Sequence, residues 1–241
     1  MNEYSDQVNI FDSSTWGPAV HLVGAGGINN ALGPLLAKMG IREIHVWDND
    51  ILEARNCPTE VAYSKRMVGR PKVDAMVSAI KYLVGDATYN LDGNPHLTLH
   101  PNHPVCHDLG YWRIYTHFCR VDEHTPLSGV VISGVDSMAS RKVIWQAVKN
   151  SRVDIPLYID GRSAGEMTAI FAFSPFDLEN AEIYESDWLF DDKEATPLRC
   201  GARNIGYIAD YMASEIGYII TRYHRQLPIE FYTYRDFSPS P

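Results

Sequence analysis

The sequence predicts an α/β fold: a Rossmann-like, mainly parallel sheet flanked by helices, forming a single domain over residues 1–241. Three observations carry that prediction. Short apolar runs alternate along the chain with longer stretches of helical periodicity. The first such run leads directly into a glycine-rich turn, Gly24-Ala25-Gly26-Gly27. The composition, 45% hydrophobic and 21% charged, is that of a globular chain.

Each element follows in order. Ala19 to Val23 is apolar and reads as a buried strand. Ile28 to Met39 carries Ala31, Leu32, Leu35, Leu36 and Met39 at helical spacing, with Pro34 inside as a candidate kink and Gly40 as the C-cap. Ile44 to Trp47 is the second strand, closed by Asp48-Asn49-Asp50. Strand, turn, helix and strand make a βαβ unit with a right-handed crossover. The next helix is expected over Val68–Leu83 and a short strand over Leu97–Leu99. Residues 100–127, rich in His, Pro and aromatics, read as an irregular insertion. Val130–Ser133 is a strand, Ala139–Asn150 a helix, and Leu157–Asp160 and Thr168–Phe173 are strands. An acidic, irregular loop is expected at 174–197. Ile205–Tyr223 is a long helix with Ile208, Met212, Ile216, Ile219 and Ile220 inward, and Ile229–Tyr234 forms a short C-terminal strand region.

Charge and cysteine usage exclude several function classes. Asp and Glu number 30 against 21 Lys and Arg, a net charge of −9, which disfavours a nucleic-acid partner. No apolar run approaches the roughly 18 residues of a membrane span. Met1 to Ser14 is polar and acidic, unlike a secretory leader, so the expected compartment is the cytoplasm. Cys57, Cys106, Cys119 and Cys200 contain no CxxC pair, so neither a disulfide framework nor a paired-thiolate zinc site is expected.

The turn at Gly24, Gly26 and Gly27 opens a helix N-terminus, where unpaired N–H groups and the helix dipole favour an anion. Asp48 follows about twenty residues on, the spacing of a ribose-binding acid. A tight turn without a ligand would look the same. Asn29 stands where a dinucleotide fingerprint has Gly or Ala. The second acid, Asp50, suits a ribose or a metal–phosphate site better than a bare pyrophosphate. Asp136, at the C-terminal end of a predicted parallel strand, is either a ligand-binding acid or the N-cap of the following helix, or both.

Taken together, Gly24-Ala25-Gly26-Gly27, Asp48-Asn49-Asp50, Arg55-Asn56, Gly69-Arg70-Pro71-Lys72 and Asp136 resemble the ThiF/MoeB/ubiquitin-activating family over about residues 18–223. That resemblance implies ATP-dependent adenylation of the C-terminal carboxylate of a ubiquitin-like protein or peptide, in a homodimer or heterodimer. It implies that Gly26 lies against the phosphates, Asp48 binds the ribose, Asn56 holds the nucleotide, and Lys72 reaches the phosphates. It further implies that Asp136, followed by Ser137, binds Mg²⁺, and that Arg141 is structural. Lys and Mg²⁺ suit the charge that develops on phosphoryl oxygens.

The resemblance also marks departures. The family arginine three residues after the Asn is replaced by Thr59, followed by Glu60, and no Arg or Lys occurs in Asn2–Val23. Arg55 is the candidate substitute, and weak adenylation or a heterodimer subunit is the alternative. Cys200, flanked by Arg199 and Arg203 ahead of the last long helix, matches the family's thioester- or persulfide-forming cysteine, or is a packing residue. His100, His103, Cys106 and His107 form an HxxHxxCH run read as a surface loop or, less readily, a metal site. The C-terminal aromatics, Tyr218, Tyr223, Phe231, Tyr232, Tyr234 and Phe237, are read as core or as a subunit interface. Two further readings stay open: a non-catalytic nucleotide-binding subunit, and an NAD-dependent oxidoreductase.

Overall fold

The computed structural model describes residues 4–84, 105–191 and 205–238. Its centre is built from five parallel strands. β1 (Val20–Val23) pairs with β2 (Glu43–Trp47) on one side. Between them runs α1 (Gly27–Met39), which continues past Pro34 and ends where Gly40 turns at φ 90°. After α2 (Lys72–Val84) come β3 (Val105–Asp108) and β4 (Arg113–His117). β5 (Val130–Ser133) lies on the other side of β1 and is followed by α3 (Met138–Asn150). Next come β6 (Leu157–Ala164), β7 (Met167–Phe173) and α4 (Leu178–Trp188). The last elements are α5 (Gly206–His224) and β8 (Tyr232–Asp236). The strand order is β3-β4-β2-β1-β5-β6-β7-β8. Strands β4, β2, β1, β5 and β6 are parallel, and the outer pairs β3–β4, β6–β7 and β7–β8 are antiparallel.

Strand alternation sorts the core into two layers. Val20, Leu22, Ile44, Val46, Ile132 and Ile159 meet α1, α2 and α5 on one face. The five α5 residues expected to face inward are all buried there. On the other face Val131, Tyr158, Phe171 and Phe173 meet Ile144, Trp145 and Tyr184 from α3 and α4. That second face carries an imidazole layer beneath β1, β2 and β4. His21 stacks on His45 at 4.3 Å, and Trp47 stacks on His117 at 3.5 Å. Burial pushes His21 and His117 down to about 3, so these rings pack as neutral aromatics.

Four sequence expectations need correction. The helix expected from Val68 starts at Lys72, because Pro71 disfavours helical geometry at Arg70 and itself accepts the N–H groups of Asp74 and Ala75. Its upstream residues Lys65–Met67 form a single 3₁₀ turn. The stretch 100–127 is not irregular throughout: β4 joins the sheet beside β2, with Glu43 opposite Arg113, and β3 pairs back on it. The acidic stretch 174–197 contains α4, whose N-cap Asp177 accepts the Asn180 N–H at 3.2 Å. Because Tyr184 is its one fully buried residue, α4 has no apolar stripe to betray it. The final strand lies at Tyr232–Asp236 rather than Ile229–Tyr234. The expected strand Leu97–Leu99 falls outside the described residues.

Candidate nucleotide site

The site is assembled where β1 and β5 end side by side. Gly24 turns at φ +87°, a conformation that suits glycine. A Cβ at Gly24 would stand 2.9 Å from the Gly134 carbonyl oxygen, so the two loops touch backbone to backbone. Asn29 explains why the fingerprint departs from Gly or Ala. Fully buried, its amide reaches the carbonyls of Val23 at 3.1 Å and Gly24 at 2.8 Å. The same side chain fills the space beside Gly134, where a Cβ would come within 2.8 Å of Nδ2. Asn29 therefore staples the turn instead of leaving room for a closer helix.

Gly26 is the N-cap of α1, with no side-chain capping bond and no acid in the first turn. No carboxylate from the helix's own first turn competes for its N–H groups. Asp48 closes the turn from β2: Oδ2 accepts the Ala25 N–H at 2.7 Å and Oδ1 accepts the Asp50 N–H at 2.7 Å. Burial, reinforced by nearby Asp50, raises its carboxyl despite those hydrogen bonds and Lys72.

Lys72 stands at the start of α2 with only 7% of its surface exposed. Its Nζ lies 2.9 Å from Glu60 Oε1 and 3.9 Å from Asp50 Oδ2. Glu60 comes from the loop that Asn56 nucleates, since the Asn56 carbonyl accepts the N–H groups of Thr59 and Glu60. The Asn56 side chain accepts the Glu53 N–H at 2.9 Å. Tyr63 ties this loop to the turn, its hydroxyl lying 2.9 Å from the Ala25 carbonyl and 3.1 Å from that of Lys72. Asn30 adds a second tie by accepting the Ala62 N–H at 2.8 Å. Glu60 Oε1 is 3.8 Å from where a Cβ of Gly26 would be, so the glycine bend, the lysine and this carboxylate form one constellation.

A model of the ThiF family matches residues 18–239. The chain belongs to the ThiF family. Among solved structures, E. coli MccB with MccA aligns at a TM-score of 0.66 and 14% identity, covering 100% of this chain and 72% of that one. E. coli MccB with ATP aligns at 0.63 and 15% identity, covering 98% and 68%. PaaA aligns at 0.59 and 14% identity, covering 91% and 61%. At such identities the likeness is one of fold. No curated protein matches the chain by sequence.

In this ThiF-family chain a buried arginine follows β5. Arg141, 6% exposed, donates from Nε to Asp160 Oδ1 at 3.1 Å and from Nη2 to the Val135 carbonyl. That second bond fixes the loop just before Asp136, which is exposed. Ser137, not Asp136, caps α3: its hydroxyl accepts the Ser140 N–H at 3.2 Å. Arg55 is exposed and paired with Glu53 at 2.6 Å. Cys200, Arg199 and Arg203 lie outside the described residues, as do His100 and His103. Of the same run, Cys106 is exposed and His107 reaches Thr116 at 3.4 Å; adjacent strand residues face opposite ways, which splits the pair. Among the described residues no group of three metal-ligating side chains converges.

Phe231 and Tyr232 pack on the core, while Tyr218 and Tyr234 are exposed. No described helix is long and apolar enough to cross a membrane. Sequence reasoning missed Tyr63, and it saw Glu60 only as a departure. The one signal for Glu60 was a lone acid directly ahead of Val61-Ala62-Tyr63.

Proposed function

We propose that the chain binds Mg-ATP and adenylates the C-terminal carboxylate of a peptide or ubiquitin-like protein. The observation that supports this best is the junction of Lys72 with the glycine bend, beside an exposed Asp136 on a loop braced by Arg141. Membership of the ThiF family and the fold shared with MccB, solved with ATP and with MccA, point the same way.

The residues present suit the nucleotide. The uncapped start of α1 offers N–H groups to phosphate, Lys72 offers a cation, and Asp48 and Asn56 offer acceptors to the ribose and base side. Gly24, Gly26, Gly27, Asp50 and Ser137 complete the lining in this reading. Mg²⁺, held by Asp136, would neutralise phosphate charge. The acceptor carboxylate attacks the α-phosphorus, forming a carboxyl O–P bond as the bond to the β-phosphate oxygen breaks and pyrophosphate leaves. Lys72 draws charge from the phosphoryl oxygens, with Arg55 as a second cation. A Cys200 thiolate then attacks the acyl carbonyl and AMP leaves, giving a thioester; such a thiol suits a reducing, cytoplasmic compartment. A homodimer or heterodimer would supply charge that Thr59 does not.

One observation favours a second reading, a nucleotide-binding subunit without turnover: the Lys72 ammonium is already engaged by Glu60. ATP–pyrophosphate exchange separates the two. With a glycine-ended acceptor, exchange is expected, and Asp136→Ala should lower it at least about 100-fold, the scale of losing one electrostatic stabiliser. Absence of exchange with every such acceptor, or an unchanged Asp136→Ala rate, would overturn the catalytic reading.

A further inference from the structure

Glu60 is only 4% exposed, and its two oxygens are treated differently. Oε1 receives the Lys72 ammonium at 2.9 Å, whereas Oε2 is buried with no hydrogen-bond partner among the described residues. A buried carboxylate oxygen without a donor is costly, and a structure that keeps one holds it for a reason or a ligand. The groups facing Glu60 are Lys72 from α2, and Asp48 and Asp50 from the loop after β2, with the Tyr63 hydroxyl nearby. Three carboxylates thus share one ammonium, beside a glycine bend suited to an anion.

Resting on the nucleotide reading above, we propose that Glu60 is a positioning residue that holds Lys72 in the nucleotide-free chain and takes up one proton from solvent when phosphate claims the lysine. An ionised carboxylate 3.8 Å from the glycine's Cβ position repels a phosphate that settles against Gly26 and Lys72. Protonation removes that repulsion, releases the ammonium to the phosphate, and turns the Glu60 carboxyl into a hydrogen-bond donor. No other covalent bond changes: one proton leaves the buffer acid and binds a carboxylate oxygen. Burial, with help from Asp48 and Asp50, already holds the Glu60 carboxyl above its usual range, against the pull of Lys72. Such a residue makes nucleotide binding fall off as pH rises.

Calorimetric titration of the full chain with Mg-ATP, in two buffers of different ionisation enthalpy, reads the proton directly. The wild type should take up a fraction of a proton that grows toward one as pH increases from 6 to 8.5, and its affinity should fall by up to about tenfold per pH unit. Glu60→Gln keeps an oxygen for Lys72 but cannot titrate. It should bind Mg-ATP with no such uptake, with a flat pH profile, and more tightly than wild type at pH 8. Equal proton uptake in the two proteins, or a flat wild-type profile, overturns the proposal while leaving nucleotide binding intact. No binding by either protein overturns the nucleotide reading and this proposal together. The wild-type profile is decisive even if the variant does not fold.

Discussion

Two buried carboxylates lie at the same end of the sheet and are treated in opposite ways. Asp160, aligned with Ser133 at the end of β5, is fully buried and saturated with donors. It accepts Arg141 Nε at 3.1 Å, Arg162 Nε at 2.6 Å and the Tyr184 hydroxyl at 2.9 Å. Arg162 in turn lies 4.6 Å over the Phe171 ring and donates to the Trp188 carbonyl. This network ties the loop after β5 to β6 and α4. Glu60 has one donor, a bare oxygen and two acidic neighbours. Both Asp160 oxygens are spent on holding the fold, whereas Glu60 keeps one oxygen bare where a ligand is expected.

The largest test of that contrast is Asp160→Ala. It strands Arg141 and Arg162 without their shared partner, and breaking a buried pair from one side costs about 3–5 kcal/mol. Urea unfolding should show the midpoint fall accordingly. A loss below about 1 kcal/mol would mean that the network is not structural and that the two carboxylates do not differ in kind.

A finer test removes Lys72. In Lys72→Met, Glu60 loses the group that lowers its carboxyl, so its native pKa rises further above the ordinary value of 4.5. The native state then binds more protons than the unfolded chain, and stability falls as pH rises through the raised value. Little loss is expected near pH 5, and about 1–3 kcal/mol near pH 8, the cost of a buried unsatisfied polar group. Lys72 itself is pulled down by burial but raised on balance by its bond to Glu60 and by the surrounding carboxylates, so its own titration lies outside this window. Adding Glu60→Gln should abolish the pH-dependent part. A loss equal at pH 5 and pH 8 would show that the pair is merely packed.

The same contrast separates what the sequence displays from what it hides. The parallel centre was legible because buried parallel strands read as near-continuous apolar runs, and β1 and β5 are such runs, interrupted only by His21 and closed by Ser133. β4 was not, because its Arg, Tyr, Thr and His disguise a strand whose inward residues are Ile114 and Thr116 on one face and His117 of the imidazole layer on the other. The sequence singles out Gly26 and Asp48 by motif spacing, and Lys72 and Asp136 by family resemblance, as candidates. It could not locate Asp160 or Glu60 as partners of Arg141 and Lys72. Those pairings span 19 and 12 residues and exist only once the sheet is assembled.

Asp136→Asn should have the smallest effect on stability and among the largest on ligand binding. The side chain is exposed, and the helix it precedes is capped by Ser137. The loop beneath it is held by Arg141 through the Val135 carbonyl, a backbone contact that the substitution leaves in place. Its change in unfolding free energy should therefore stay within about 0.5 kcal/mol. Titrating Mg²⁺ at fixed ATP should nevertheless show the variant binding nucleotide with weakened metal dependence, because the carboxylate that would share the ion is gone. If the variant instead melts early with unchanged Mg²⁺ dependence, Asp136 belongs with Asp160 among the residues that hold the fold, and the ion must be sought at the carboxylates around Lys72.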